Sequence, residues 1–367
     1  MMDGLDASFI EEEEIVSKFQ MIEFLERHFA PYRHSGGVHY FSRVQKTLEK
    51  IPSRYHNCAF ALFANAIYLP EPLLDKSWTY LLDELNRRLA LPEIEVIQGS
   101  MLFEIDGGSS VYRFIQENNI KGRLDISRFP RGIQTIDQLI DEMCQLVSKK
   151  DGYEDLKQDI KTVLAKKYWI LLSDNALSGT SISGDIEKAT EVFKLLGESF
   201  ISPRVLPLVQ VCTEDAEGKI DSIIKTEPNY SIEKPIIAFR FDSRFKITKQ
   251  NESNCRLFLK KETLHEVLEL CEWFAQNTFF KDDPELEKTK QLSGDDMRYG
   301  FKAGGWTIVT PNCPENSLPL LWYRGRDFCG PFPRVRSRIG QTHGKGRDKL
   351  KYLSEKKETL VKRLDSV

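Results

Sequence analysis

The sequence predicts an α/β protein: a doubly wound, mostly parallel sheet with a helical region before it and a C-terminal lid after it. Three observations carry that expectation. Short apolar runs recur from about residue 100, at Met101–Ile105, Arg123–Ile126, Tyr168–Leu172, Val205–Cys212, Pro235–Phe241 and Trp306–Val309. Helical patterns separate several of them, and strands separated by helices assemble as parallel sheets. Hydrophobic residues make up 41% of the 367, enough to fill a sizeable core.

The elements follow in order. Ile15, Phe19, Ile22 and Leu25 recur near helical spacing, as do Leu81, Leu82, Leu85 and Leu89. His34 to Gly37 and Leu69 to Pro72 break the pattern. The expected organisation is a helical region over 1–98, an α/β core over 99–245, a C-terminal helix, strand and Pro/aromatic lid over 246–340, and a basic tail over 341–367.

Composition excludes several classes. Charged residues at 29% and a mean hydropathy of -0.39 describe an ordinary folded chain, neither disordered nor collagen-like. No run approaches the roughly 18 apolar residues of a spanning helix, and no membrane association is expected. The first 14 residues hold six acids and no base, unlike a secretory signal, so the expected location is cytoplasmic. Seven cysteines without a CxxC spacing point to reduced, buried thiols. His34 and His39 flank Ser-Gly-Gly without a partner pattern, so no metal centre is expected there. A net charge of -3 names no partner by itself. The last 27 residues nevertheless hold eight Lys/Arg against four Asp/Glu, and Arg334, Arg336 and Arg338 alternate just before them.

The segment richest in chemistry runs from Trp169 to Leu196. A buried-strand pattern, Trp169 to Leu172, leads into Ser173, Asp174 and the small-residue turn Ser178-Gly179-Thr180-Ser181. A helix follows, with Ile182, Ile186, Ala189, Phe193 and Leu196 on one face and Gly197 placed to end it. Backbone N–H groups at such a helix start carry partial positive charge, and small residues let a phosphate approach them. Each charge-assisted hydrogen bond contributes about 1.5–3 kcal/mol, so four or five hold a phosphate without a lysine. The turn matches neither GxxxxGK[ST] nor GxGxxG. An ordinary strand–turn–helix junction, with Asp174 as a cap, accounts for the same residues.

Upstream, Leu102 to Ile105 reads as a strand running into Asp106-Gly107-Gly108-Ser109-Ser110, with a helix from Val111. Downstream, Asn316-Ser-Leu-Pro-Leu-Leu-Trp322 and Phe332-Pro333-Arg334 form a Pro/aromatic segment after Tyr299 to Gly305. Trp322, Phe332 and Arg334 offer stacking faces and a cation for a nucleobase, or alternatively a rigid packed lid.

These residues resemble the phosphoribosyltransferase superfamily, over about residues 100 to 340. Its signature is four apolar residues, two acids, three variable residues and Thr/Ser-Gly-x-Thr/Ser. The first hundred residues match no pattern of that kind. The resemblance implies a phosphoribosyltransferase-type sheet, with Asp174 on the ribose hydroxyls of phosphoribosyl pyrophosphate and the 5′-phosphate on Ser178 to Ser181. It implies that Asp106 to Ser110 receive pyrophosphate, with Mg2+ as cofactor. It also implies a basic mobile loop between them, where Arg128 and Arg131 stand. Ser173 departs from the signature, occupying a position where the superfamily usually has an acid. The Asn316–Arg334 segment resembles divergent members of bacterial conflict and anti-phage systems, including retron-type ones. That implies a nucleotide-acting effector, with a protein or nucleoprotein partner encoded beside it.

Three readings follow: an enzyme acting on a phosphoribosyl compound or nucleotide, a non-catalytic sensor of one, and a nucleic-acid-binding adaptor resting only on the basic C-terminal residues.

Overall fold

The computed structural model describes residues 40–104, 110–120, 133–147, 153–196, 203–227, 231–248, 261–282, 297–300, 305–310, 313–314, 317–325 and 327–332. The main sheet has four parallel strands in the order β2 (Ser100–Glu104), β3 (Tyr168–Ala176), β4 (Arg204–Thr213) and β5 (Ile236–Phe241). A small parallel pair joins β1 (Ile67–Tyr68) to β6 (Ile308–Val309). The expected run Arg123–Ile126 and the tail from 341 lie outside the described residues.

Side chains alternate across the sheet with a period of two. Met101, Phe103, Trp169, Leu171, Val205 and Val209 face one side. There they meet α6 (Ile136–Val147), α7 (Tyr153–Leu164), α8 (Thr180–Leu196) and α9 (Glu214–Thr226). Leu102, Ile170, Leu172, Leu206 and Leu208 face the other side. They pack on α3 (Glu71–Leu89), α4 (Glu93–Gln98) and α5 (Ser110–Glu117) through Trp78, Leu81, Leu85, Val96 and Phe114. Sandwiched strands of this kind are apolar on both faces, which is why β3 and β4 read as near-continuous hydrophobic runs.

The expected double winding is modified in one respect. Helices do cover both faces, but the described strand order never reverses. Right-handed crossovers stepping in one direction deposit their helices on one face, where α6 to α9 lie. The opposite layer comes largely from α3 and α4, which precede the main sheet in the chain.

Pro207 stands within β4, opposite Leu171. Val205 bonds toward Ser231 and Glu233, and pairing with β5 resumes only at Leu208. The donor that proline lacks falls on that side, where the ladder lapses.

The N-terminal region is not one unit. Residues 71–98 belong to the sheet body, whereas α1 (Tyr40–Glu49) and α2 (His56–Ala64) join the C-terminal residues in a second core. That core holds Phe63, Val267 and Phe274 of α10 (Lys261–Phe274), a π-helical turn over Ala275–Phe279, and Leu321, Trp322 and Phe332. The Thr47 hydroxyl donates to the Cys329 carbonyl at 2.7 Å, joining α1 to the C-terminal part of the described residues. Leu177 lies in a further, smaller cluster, where it meets Val211 and Phe241 of the main sheet and Trp306 and Ile308.

Phe332 is fully buried. Phe332→Ala is expected to cost about 3–5 kcal/mol in a denaturant titration. A change below about 1 kcal/mol would return this ring to the surface role that its sequence context also allowed.

Candidate functional site

All four strands of the main sheet end at one edge, the side on which parallel α/β sheets bind ligands. Register places Glu104, the last residue of β2, beside Leu172, so Ser173 and Asp174 project past the end of β2. Period-two alternation then separates these two residues. Ser173 is buried on the α6–α9 side. Asp174 is open to solvent on the α3–α5 side. Of the two positions where the superfamily signature has acids, only Asp174 is therefore available to a ligand. A carboxylate in place of Ser173 would be buried, which is costly unless it is paired.

Asp174 is open at its surface, yet protein crowds around it. Desolvation raises its carboxyl above the ordinary aspartate range. The N–H groups of Asn175 and of Asp174 itself oppose that rise, as does the charge of Arg113. Arg113, on α5, forms ion pairs with Glu71 and, at 3.3 Å, with Asp75 on α3. Desolvation also raises the Asp75 carboxyl, Arg113 lowers it, and Glu117 and Glu71 add to the rise. The Tyr68 hydroxyl is pushed up to about 12, first by burial and then by Glu71. One cation thus stands in an acidic corner beside the single open carboxylate of β3. These pairs are partly exposed and contribute little to stability; their interest lies in holding Arg113, whose charge acts on Asp174.

The turn after β3 is held by α9. Gly179 has φ +70°, a left-handed conformation that favours glycine. A Cβ there would lie 2.7 Å from the Cα of Ala216. The Thr213 hydroxyl donates to the Leu177 carbonyl at 2.5 Å, and Lys219 Nζ donates to the Ser178 carbonyl at 2.5 Å. Thr213 also caps α9, its hydroxyl accepting from the Ala216 N–H at 3.3 Å. Thr213, Ala216 and Lys219 stand three residues apart, which places them along one side of α9. Thr180 and Ser181 open α8 and are exposed.

The structure brings together Asp174, Ser178, Gly179, Thr180 and Ser181. Ser110 starts α5 and is buried. Asp106, Gly107, Gly108 and Ser109 lie outside the described residues, as do Arg128, Arg131 and Arg334. Trp322 and Phe332 are a correction. Both are core residues, and the Trp322 indole donates to the Ser317 carbonyl at 2.8 Å. Their faces are occupied by packing, so neither is a free stacking surface for a base. Sequence reasoning missed Arg113, Thr213 and Lys219. Thr213 ahead of Glu214 and Asp215 carries an N-cap signal, but Lys219 acquires meaning only once α9 is set beside the turn.

Among the described residues no three His, Cys, Asp or Glu side chains are grouped to hold a metal ion. Five described cysteines are buried, and burial pushes the Cys58 and Cys212 thiols up to about 12. Such thiols are poor nucleophiles. No described helix is long and apolar enough to cross a membrane.

A parallel sheet whose inner strand ends in one open carboxylate, a Ser-Gly-Thr-Ser turn and a helix start is the mark of a phosphoribosyltransferase-like protein. The chain belongs to one such family, PRTase-CE, whose model matches residues 15–334. That match extends the family resemblance back from about residue 100 to Ile15, so both hydrophobic cores fall within it. No curated protein and no solved structure matches the chain.

Two outcomes follow. Gly179→Ala is expected to destabilise the protein by about 1–3 kcal/mol, read by denaturant titration, because the left-handed backbone and the Ala216 contact both oppose a Cβ. Asp174→Asn is expected to raise the melting temperature of the ligand-free protein at pH 7. A carboxyl raised in the folded state penalises folding above its unfolded pKa of about 3.9, and the penalty is absent below that pH. The two proteins should therefore melt together near pH 3 and separate as the pH rises through the raised folded value. A variant less stable than wild type at pH 7 would refute the assignment.

Proposed function

We propose that this protein binds a phosphoribosyl compound, either phosphoribosyl pyrophosphate or a nucleotide, at the C-terminal edge of β3. The observation that carries this reading is the joint placement of Asp174 and the Ser178–Ser181 turn on one sheet edge. The 5′-phosphate sits on the backbone N–H groups and hydroxyls of Ser178, Gly179, Thr180 and Ser181. Asp174 accepts from the ribose hydroxyls. Its raised carboxyl favours a partner that donates hydrogen bonds, since donors lower the cost of the charge. The segment Asp106 to Ser110 receives the pyrophosphate.

In a transfer reaction the bond from C1 of the ribose to the pyrophosphate oxygen breaks, and its electron pair leaves with the pyrophosphate. A bond to the incoming nucleophile forms at C1. The chain's contribution is positioning and charge stabilisation. Mg2+, when bound, neutralises the departing pyrophosphate. Among the described residues, Asp174 would be one protein carboxylate for an ion carried by ligand phosphates, a usual arrangement for Mg2+.

A sensor is the second reading, and buried Ser173 favours it, because one of the two signature carboxylates is missing. The setting we propose is bacterial anti-phage defence, as a nucleotide-acting effector with a protein or nucleoprotein partner. That rests on the resemblance of the segment from Asn316 to Arg334.

A thermal-shift panel tests the binding. Phosphoribosyl pyrophosphate, ribose 5-phosphate and nucleoside monophosphates are added with and without Mg2+. A ligand at 100 times its Kd adds about 2.7 kcal/mol of stability. The shift is expected in the wild type and lost when Ser178, Thr180 and Ser181 are all changed to alanine. No shift with any ligand refutes the proposal. Asp174→Asn separates the two readings: an enzyme loses turnover, whereas a sensor loses only affinity.

A further inference from the structure

The anion-binding turn is held from behind, and the hold has a direction. Thr213 and Lys219 capture the carbonyl oxygens of Leu177 and Ser178, two consecutive residues, from the α9 side. No cis peptide bond occurs among the described residues. In a planar trans peptide the N–H points opposite to the C=O. Fixing the Leu177 carbonyl therefore turns the Ser178 N–H away from α9, and fixing the Ser178 carbonyl does the same for the Gly179 N–H. Between those two hydrogen bonds the close approach of Gly179 to Ala216 sets the distance of the turn from the helix. Thr213, which caps α9, and Ala216 and Lys219 within it thus determine which way two amides of the turn face.

We propose that Lys219, with Thr213, is a positioning residue for phosphate binding. Neither touches the phosphate. They hold two carbonyls on the α9 side so that the amides of Ser178 and Gly179 already face the ligand before it arrives. This rests on the proposed reading of the turn as the 5′-phosphate site. It also assigns work to a lysine that a direct-contact model would place on the phosphate itself. An amide pair set in advance binds an anion without reorganising, whereas a turn free to rotate its peptide planes must order them on binding.

The test uses the full chain with selectively 15N-labelled glycine. In ligand-free Lys219→Met, the Gly179 amide signal is expected to move, because its peptide plane is released, and in Lys219→Arg to return toward the wild-type position. Calorimetric titration with ribose 5-phosphate should show Lys219→Met weakened about 10- to 100-fold, the range in which supporting contacts act on a site. Lys219→Arg should recover most of that loss. The loss should persist at 1 M salt, where the Debye length is about 3 Å and exposed charges are screened. Lys219 is exposed, so the melting temperature of the ligand-free variant stays near wild type. An unmoved Gly179 signal in Lys219→Met overturns the proposal, as does a loss of affinity that disappears in high salt, which marks a simple charge contact. If wild type binds no phosphate compound, the reading of the turn as a phosphate site fails. The Gly179 signal of the ligand-free variants still decides the clamp.

Discussion

The approach of Gly179 to the first turn of α9 is the contact on which the site depends. It requires a residue without a Cβ and a left-handed backbone, and it sets the turn after β3 against the helix after β4. Everything that faces a ligand at this edge is referred to that contact. Thr213 has two roles there, capping α9 and holding the Leu177 carbonyl. The turn, the strand end and the helix start therefore form one rigid unit rather than a loop laid over a sheet. The unit is anchored below by Leu177, which packs with Val211, Phe241, Trp306 and Ile308. The small β1–β6 pair thereby bears on the same edge through Ile308, with Trp306 beside it.

The charges around this unit are arranged on one side. Asp174 faces the α3–α5 layer, where Arg113 is shared between Glu71 and Asp75. A carboxylate crowded by protein and open at its surface costs free energy in the empty protein, and a partner that donates hydrogen bonds relieves it. Sites that bind are commonly built with such local cost. The buried Ser173 shows the same economy. A second acid would need a second partner inside the sheet.

How much of this was legible follows from the range of the interactions. The strands β2 to β5 and helix α8 were readable because buried strands and amphipathic helices write their pattern into consecutive residues. The turn after β3 was readable because Ser, Gly and Thr cluster there. The direction of Asp174 against Ser173 was also implicit in period-two alternation. What was not readable depends on residues far apart. Nothing local in Val44, Leu62 or Phe63 announces that they pack with Phe274 and Phe332. Trp322 and Phe332 misled for the same reason. Proline-bounded aromatics look alike on a surface and in a core, and only the neighbours decide. The order of the described strands, which does not reverse, is likewise a property of crossovers, which leave no sequence signal.

The joining of Thr47 to Cys329 has a consequence for how the protein is made. A ribosome delivers α1 and α2 long before it delivers the segments that complete their core. The sheet body has its own apolar faces and its own helices, so it can close while synthesis continues. The first helices wait longer: α10 follows them by about two hundred codons, and Leu321 and Phe332 complete their core only after more than two hundred and fifty. During that interval their apolar residues lack those two partners. A nonsense mutation just ahead of Leu320 would spare every residue of the turn after β3, yet take Leu321, Trp322 and Phe332 from the core that α1 and α2 share with α10.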